Sequence, residues 1–192
     1  MRRGGAMNGS KVRLSPLVRH PPNFRSILSE MTFDKNGPVD EIPDPTAARR
    51  VLDCLECHGL VGAIGGSGLL AALGLTRVVH DWDITTEGAP SSVEIALTDA
   101  GYPYRSTSAG GGNFATTALY TIDAVSHEVD VIVGFAFRSE GRRVDLPTRV
   151  TGLWRGLPLA DPSVWEQAYR MMGQTTKADL LAAWLDRTDS SL

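Results

Sequence analysis

Two aspartates one residue apart, Asp81 and Asp83 in "VVHDWDIT", carry the clearest chemistry in this chain. In an extended strand, side chains alternate. Both carboxylates then leave one face, about 7 Å apart at Cα by strand rise, while His80, Trp82 and Ile84 leave the other. A hard divalent cation takes oxygen ligands, and magnesium binds through one or two carboxylates completed by phosphate oxygens. The pair suits a metal–nucleotide site. A solvated strand end could carry the same D-x-D, so the residues just upstream matter. Gly65 and Gly66 let the backbone pass close to a ligand, and Ser67 opens a helix whose free N–H groups attract an anion. Polyphosphate at the turn and metal at the aspartates would occupy opposite ends of one ligand. No G-K-[ST] follows the turn, which excludes a Walker loop, and the glycine spacing is not that of a dinucleotide fold.

The elements that must hold these residues are legible in outline. "DPTAARRVLDCLECHGL" reads as a helix, with Asp44 as cap, Pro45 in the first turn and Gly59 as stop. "LVGAI" is a buried strand, the "GGSG" turn leads into a short helix "LLAALGL", and "RVVHDWDI" is the next strand. "SSVEIALTDAG" is a helix with Ser91 and Glu94 as a capping box and Gly101 as stop. "YPYRSTS" is a weak strand. "NFATTALYTID" and "HEVDVIVGFAF" are strong ones that pair antiparallel around Ala124 to Ser126, with "SAGGGN" as a flexible loop before them. One more short strand is expected within 142–150. Asp161 and Pro162 then start a helix with Trp165, Ala168, Tyr169 and Met172 on one face, Gly173 stops it, and "TTKADLLAAWL" follows. The expected architecture is α/β (α+β): a small mixed sheet with flanking helices and a C-terminal helical hairpin. It divides into a basic tail (1–42), a core (43–150) and a C-terminal helical extension packed on that core (151–192).

A Gly-[Gly/Ser]-Ser turn opening a helix, followed by D-x-D on the next strand and a carboxylate on a later strand, resembles the polymerase-β-type nucleotidyltransferase superfamily. The pattern spans residues 45–135, and the "W...AY.MMG...KADLL" end looks like the tail of small bacterial members. The wording "LTRVVHDWDI" is also close to that of small antibiotic-modifying enzymes, although His80 directly precedes the first aspartate instead of standing two before it. The resemblance implies a third carboxylate in "HEVDVIV". Asp130 is the choice, because an acid in an apolar strand is expensive without a role, and Glu128 on the same face is the substitute. It implies that Asp81, Asp83 and Asp130 hold Mg2+ or Mn2+ on the triphosphate of ATP or another NTP. Asp130 would also position or deprotonate an acceptor hydroxyl, and Gly65, Gly66 and Ser67 would grip phosphates. Arg77 could meet a phosphate, Lys177 lies where such proteins approach the nucleotide, and Trp82 is expected in the core. His127 is a weaker candidate. The implied activity is transfer of a nucleoside monophosphate, AMP, to an acceptor hydroxyl on a small molecule, a protein or an RNA end. The alternative is a catalytically silent nucleotide- or protein-binding relative.

Composition excludes other classes. The 192 residues suit one domain and a sizeable core. No apolar run is long enough for a membrane span, so a soluble cytoplasmic protein is expected. The net charge of −3 is uneven: residues 1–30 hold six Arg or Lys against one acidic residue, leaving −8 on the remainder, which argues against an extensive nucleic-acid groove. The tail lacks a signal-peptide core and reads as flexible or partly ordered. "CLECH" matches a haem-attachment pattern literally, but it lies within the first helix, has no accompanying export signal and is short of zinc ligands, so two helix-packed thiols are expected.

Overall fold

The computed structural model describes residues 41–107 and 112–190. The expectations for the tail before residue 41 and for most of the "SAGGGN" loop lie outside the described residues.

Helix α1 (Thr46–Cys57) buries Ala47, Ala48, Val51, Leu52 and Leu55, the one-sided spacing of an amphipathic helix. Asp44 accepts from the Thr46 N–H at 2.8 Å and Oγ1 at 2.6 Å, and Gly59 turns the chain out at φ +70°. Cys54 is half-buried and Cys57 exposed, so only one of the two thiols packs. Strand β1 (Gly62–Ile64) is fully buried and runs through the glycine turn into α2 (Gly66–Ala72). Strand β2 is shorter than its sequence suggests, Trp82–Thr86. Ahead of it, Val78 makes a parallel bridge with Glu41, and Asp81 stands just before the strand.

Helix α3 (Pro90–Ala100) begins on its proline, with no side-chain cap. The Ser91–Glu94 capping box is therefore not formed: proline's fixed φ starts the helix early, and Glu94 instead accepts from the Tyr120 hydroxyl at 2.8 Å. Strands β3 (Tyr104–Thr107), β4 (Ala118–Asp123) and β5 (Glu128–Val133) follow, each antiparallel to the next.

The stretch after β5 departs from expectation. The short strand expected within 142–150 is present, but as one of four: β6 (Ala136–Ser139), β7 (Arg142–Asp145), β8 (Val150–Trp154) and β9 (Leu157–Ala160). Each hairpin turns on a non-glycine followed by glycine, both at positive φ: Glu140–Gly141 and Arg155–Gly156. This is the two-residue turn whose twist matches that of the strands it joins. The helical extension consequently starts at Pro162 and not at 151. It comprises α4 (Pro162–Met171), capped by Asp161 on the Ser163 N–H, and α5 (Thr175–Asp189).

Seven strands form one mixed sheet in the order β3-β4-β5-β2-β1-β9-β8, with β6-β7 a separate ribbon. The β2–β5 and β1–β9 pairs are parallel. One face carries Trp82, Ile84, Val131 and Tyr120 and is covered by α1 and α3. Leu52 and Leu55 of α1 close over Gly62, where a side chain would collide with them. The opposite face carries the acids. Trp165 of α4 joins the core there through Phe135, ring centroids 5.3 Å apart.

Candidate active site

The acids gather because two strands lie side by side in register. In the parallel β2–β5 pair Asp83 faces Asp130, and on the next strand Thr121 faces Asp130. Neighbouring strands sit about 4.8 Å apart, so all three side chains leave one face in a row. The Thr121 hydroxyl donates to Asp130 Oδ1 at 2.6 Å. Asp81, Asp83 and Asp130 are 5%, 2% and 4% exposed. Burying carboxylates this deeply is unfavourable without compensating charge or donors. Burial drives the Asp83 carboxyl well above the usual range, the nearby Asp81 and Asp130 push it further, and Lys177 pulls it back. Asp83 Oδ1 is buried without a hydrogen-bond partner among the described residues.

The glycine turn is built against this row. The Gly65 N–H donates to the Asp83 carbonyl at 2.9 Å, so that amide belongs to the sheet. Gly66 has φ +53°, and a Cβ there would overlap Asp83 Oδ2. A Cβ on Gly65 would enter the Trp165 ring, and one on Gly68 would press Trp82 at 2.9 Å. Gly65 and Gly66 thus let the turn touch a carboxylate on one side and the C-terminal hairpin on the other. Ser67 Oγ, next in the chain, is buried with no partner among the described residues.

The hairpin brings the second set of groups. Lys177, in the first turn of α5, is 8% exposed, and its Nζ lies 5.3 Å from the centroid of the Tyr169 ring on α4. Burial lowers the Lys177 ammonium's pKa, while Asp83 and Asp81 act to raise it. Tyr169 is 1% exposed. Its hydroxyl is shifted well upward, first by burial and then by Asp83 and Asp81, which places it in the field of the same carboxylates. From the sequence Tyr169 reads only as a core-facing aromatic. A buried tyrosine's need for a partner for its hydroxyl was the available signal.

The other candidates stand elsewhere. Glu128 shares the face of Asp130, but it is part-exposed and tied to Arg105 at 2.5 Å, so it does not substitute for Asp130. Arg77 is exposed in the connection between α2 and β2. His127 lies in the β4–β5 turn with Nδ1 2.9 Å from Ser126 Oγ. Trp82 is fully buried on the reverse face.

Among the described residues no three His, Cys, Asp or Glu side chains stand together as a ready metal-ligating group. The donor chemistry of the row nevertheless fits a hard divalent cation, because every acid is an oxygen ligand and Asp83 Oδ1 is buried without a partner. Asp81 and Asp83 are the residues that would hold one, with Asp130 beside them.

The sequence matches no family model and no curated protein. Solved structures do resemble this one. A candidate nucleotidyltransferase from Thermotoga maritima aligns at TM-score 0.56 and 21% identity, over 77% of this chain and 97% of its own. The antibiotic-resistance factor ANT(2'')-Ia aligns at TM-score 0.50 and 16% identity, over 73% of this chain and 83% of its own. A second structure of that factor, in complex with adenylyl-2''-tobramycin, aligns at TM-score 0.41 and 16% identity, over 74% and 97%. With the acid row, the glycine turn and the mixed sheet in place, this chain has a nucleotidyltransferase-like fold.

Proposed function

We propose that the protein is a divalent-metal-dependent nucleotidyltransferase that moves AMP from ATP to an acceptor hydroxyl. The observation that carries this reading is the in-register placement of Asp83 beside Asp130, buried, with a glycine whose Cβ would collide pressed against Asp83. The likeness to the antibiotic-resistance factor ANT(2'')-Ia fits a small molecule as acceptor.

In this reading the acceptor oxygen attacks the α-phosphorus in line as the bond to the β-phosphate's bridging oxygen breaks. Pyrophosphate leaves, and the acceptor's proton passes to Asp130. Thr121 holds one Asp130 oxygen, which orients the carboxylate. A divalent cation on Asp81 and Asp83 would supply the positive charge that phosphate oxygens need as pyrophosphate departs. Ser67 and the Gly66 amide would hold phosphate oxygens, and Lys177 would offset their charge. Packing of α4 against the turn keeps bulk water from that side, which strengthens each of these interactions.

The test is incubation with labelled nucleoside triphosphates, magnesium and a metabolite extract, read by mass spectrometry. An acceptor carrying added AMP is expected. Asp83→Asn should lower the rate by more than the ~100-fold typical of losing a group behind a metal ligand. A variant as fast as the parent would end this reading. A silent nucleotide-binding module is the second reading, favoured by the occupation of one Asp130 oxygen by Thr121. It predicts magnesium-dependent ATP binding with no pyrophosphate released.

A further inference from the structure

Among the buried polar atoms without a hydrogen-bond partner among the described residues are three from three different elements: Ser67 Oγ at the start of α2, Asp83 Oδ1 on β2 and the Tyr169 hydroxyl on α4. An unpaired buried polar atom is destabilising, so each such atom needs an account. Others lie elsewhere, on Trp82, His127 and Thr148, but these three are joined by contacts. Ser67 follows Gly66, whose Cα abuts the Asp83 carboxylate. Gly65, one residue earlier, abuts Trp165, and the Trp165 ring lies 5.6 Å from that of Tyr169. Tyr169 in turn carries Lys177 Nζ over its ring at 5.3 Å. A continuous run of contacts therefore links the turn, the acid and the hairpin, and the unsatisfied atoms sit along it.

Their chemistry is complementary to one kind of ligand. On one side stand the three carboxylates, with Thr121 already donating to Asp130. Ser67, Tyr169 and Lys177 contribute donors from the other side. A metal-bound triphosphate presents a cation to the first set and anionic oxygens to the second. The rigid ring of Tyr169, wedged between Trp165 and Lys177, holds its hydroxyl at a set position without spending the entropy of a long side chain.

We propose that Tyr169 is a nucleotide-binding residue, its hydroxyl donating a hydrogen bond to a phosphate oxygen of the bound triphosphate, so that the C-terminal hairpin forms one wall of the triphosphate site. This rests on the nucleotidyltransferase reading above. A tyrosine hydroxyl is protonated, and hence a donor, at neutral pH.

Tyr169→Phe tests it, because phenylalanine keeps the ring packing against Trp165 and Lys177 and removes only the oxygen. Binding is measured by calorimetry with magnesium and a triphosphate analogue that cannot be cleaved between the α- and β-phosphates, and melting is measured without ligand. The expected result is a loss of roughly 10-fold in affinity for the analogue, the size of one hydrogen bond to a charged group. The melting temperature should be equal to or above the parent's, since an unpaired buried oxygen has gone. Affinity equal to the parent's would overturn the proposal, as would a lowered melting temperature with unchanged affinity, which marks a purely structural hydroxyl. Asp83→Asn is run alongside. If the parent binds the analogue, Asp83→Asn loses it and Tyr169→Phe does not, only the role of Tyr169 falls. If the parent does not bind at all, both readings fall together.

Discussion

At the residue scale, the dominant fact is that Asp83 is held where its charge is disfavoured. Burial, then Asp81, then Asp130 raise its pKa above the ordinary value of 3.8. The folded form therefore keeps a proton that the unfolded chain has released. The stability linked to this group is greatest below 3.8 and falls as pH rises from there through the folded-state value. Asp83→Asn removes that dependence. Its amide cannot ionise, and it can donate to the neighbouring carboxylates. Without divalent cations the variant should melt above the parent at neutral pH, with the gap closing as pH approaches 4, as followed by calorimetric scans across pH. Magnesium should raise the parent's melting temperature and leave the variant's unmoved. A site that is less stable when empty than its inactive variant is the expected signature of carboxylates kept for binding.

Among elements, the decisive contact is between the glycine turn and the C-terminal hairpin. Helix α2 is short, and its turn could have been read as a phosphate cradle alone. The Gly65 amide, however, is engaged by the Asp83 carbonyl, and its α-carbon lies against the face of Trp165. Gly65→Ala puts a methyl group into that ring. The hairpin must shift, at about 1–3 kcal/mol for overpacking. Trp165→Leu alone loses ring contacts with Phe135 and Tyr169 but relieves the crowding when combined with Gly65→Ala. Denaturant unfolding of both single variants and the double should show non-additivity of about 0.5–3 kcal/mol, the double being less destabilised than the sum. Additive values would mean that turn and hairpin do not bear on each other.

Across the whole molecule, the sheet order decides which parts are rigid. Strands β1, β2 and β5 each have neighbours on both sides, with β3 and β8 as the edges and β6-β7 a separate ribbon. Asp83, Asp130 and Thr121 lie on β2, β5 and β4, inside the sheet, so the geometry of the candidate site rests on the part least able to fray. Amide hydrogen exchange read by mass spectrometry should be slowest in 62–64, 82–86 and 128–133 and fastest in the 136–145 ribbon. Protection in the ribbon equal to that in β2 would contradict this distribution.

Much of this was written in one dimension. Glycine followed by serine, D-x-D and an acid in an apolar strand are local patterns, and so are the helix stops at Gly59, Gly101 and Gly173, where a positive φ favours a residue without Cβ. The β4–β5 pairing was legible because β-branched and aromatic runs flank a short polar turn. Strands β8 and β9 were not, since Gly152 interrupts "VTGLW", "LPLA" holds a proline and no β-branched or aromatic residue, and their Arg155–Gly156 turn depends on a strained φ at a long side chain. Only tertiary structure could say that Asp83 and Asp130 are register partners, that Gly65 makes room for Trp165, and that Tyr169 lies in the field of Asp81 and Asp83, more than 80 residues earlier in the chain. Residue type and short spacing determine what a segment can do, because backbone geometry is local. Which segments meet depends on strand order and packing, and no single segment encodes these.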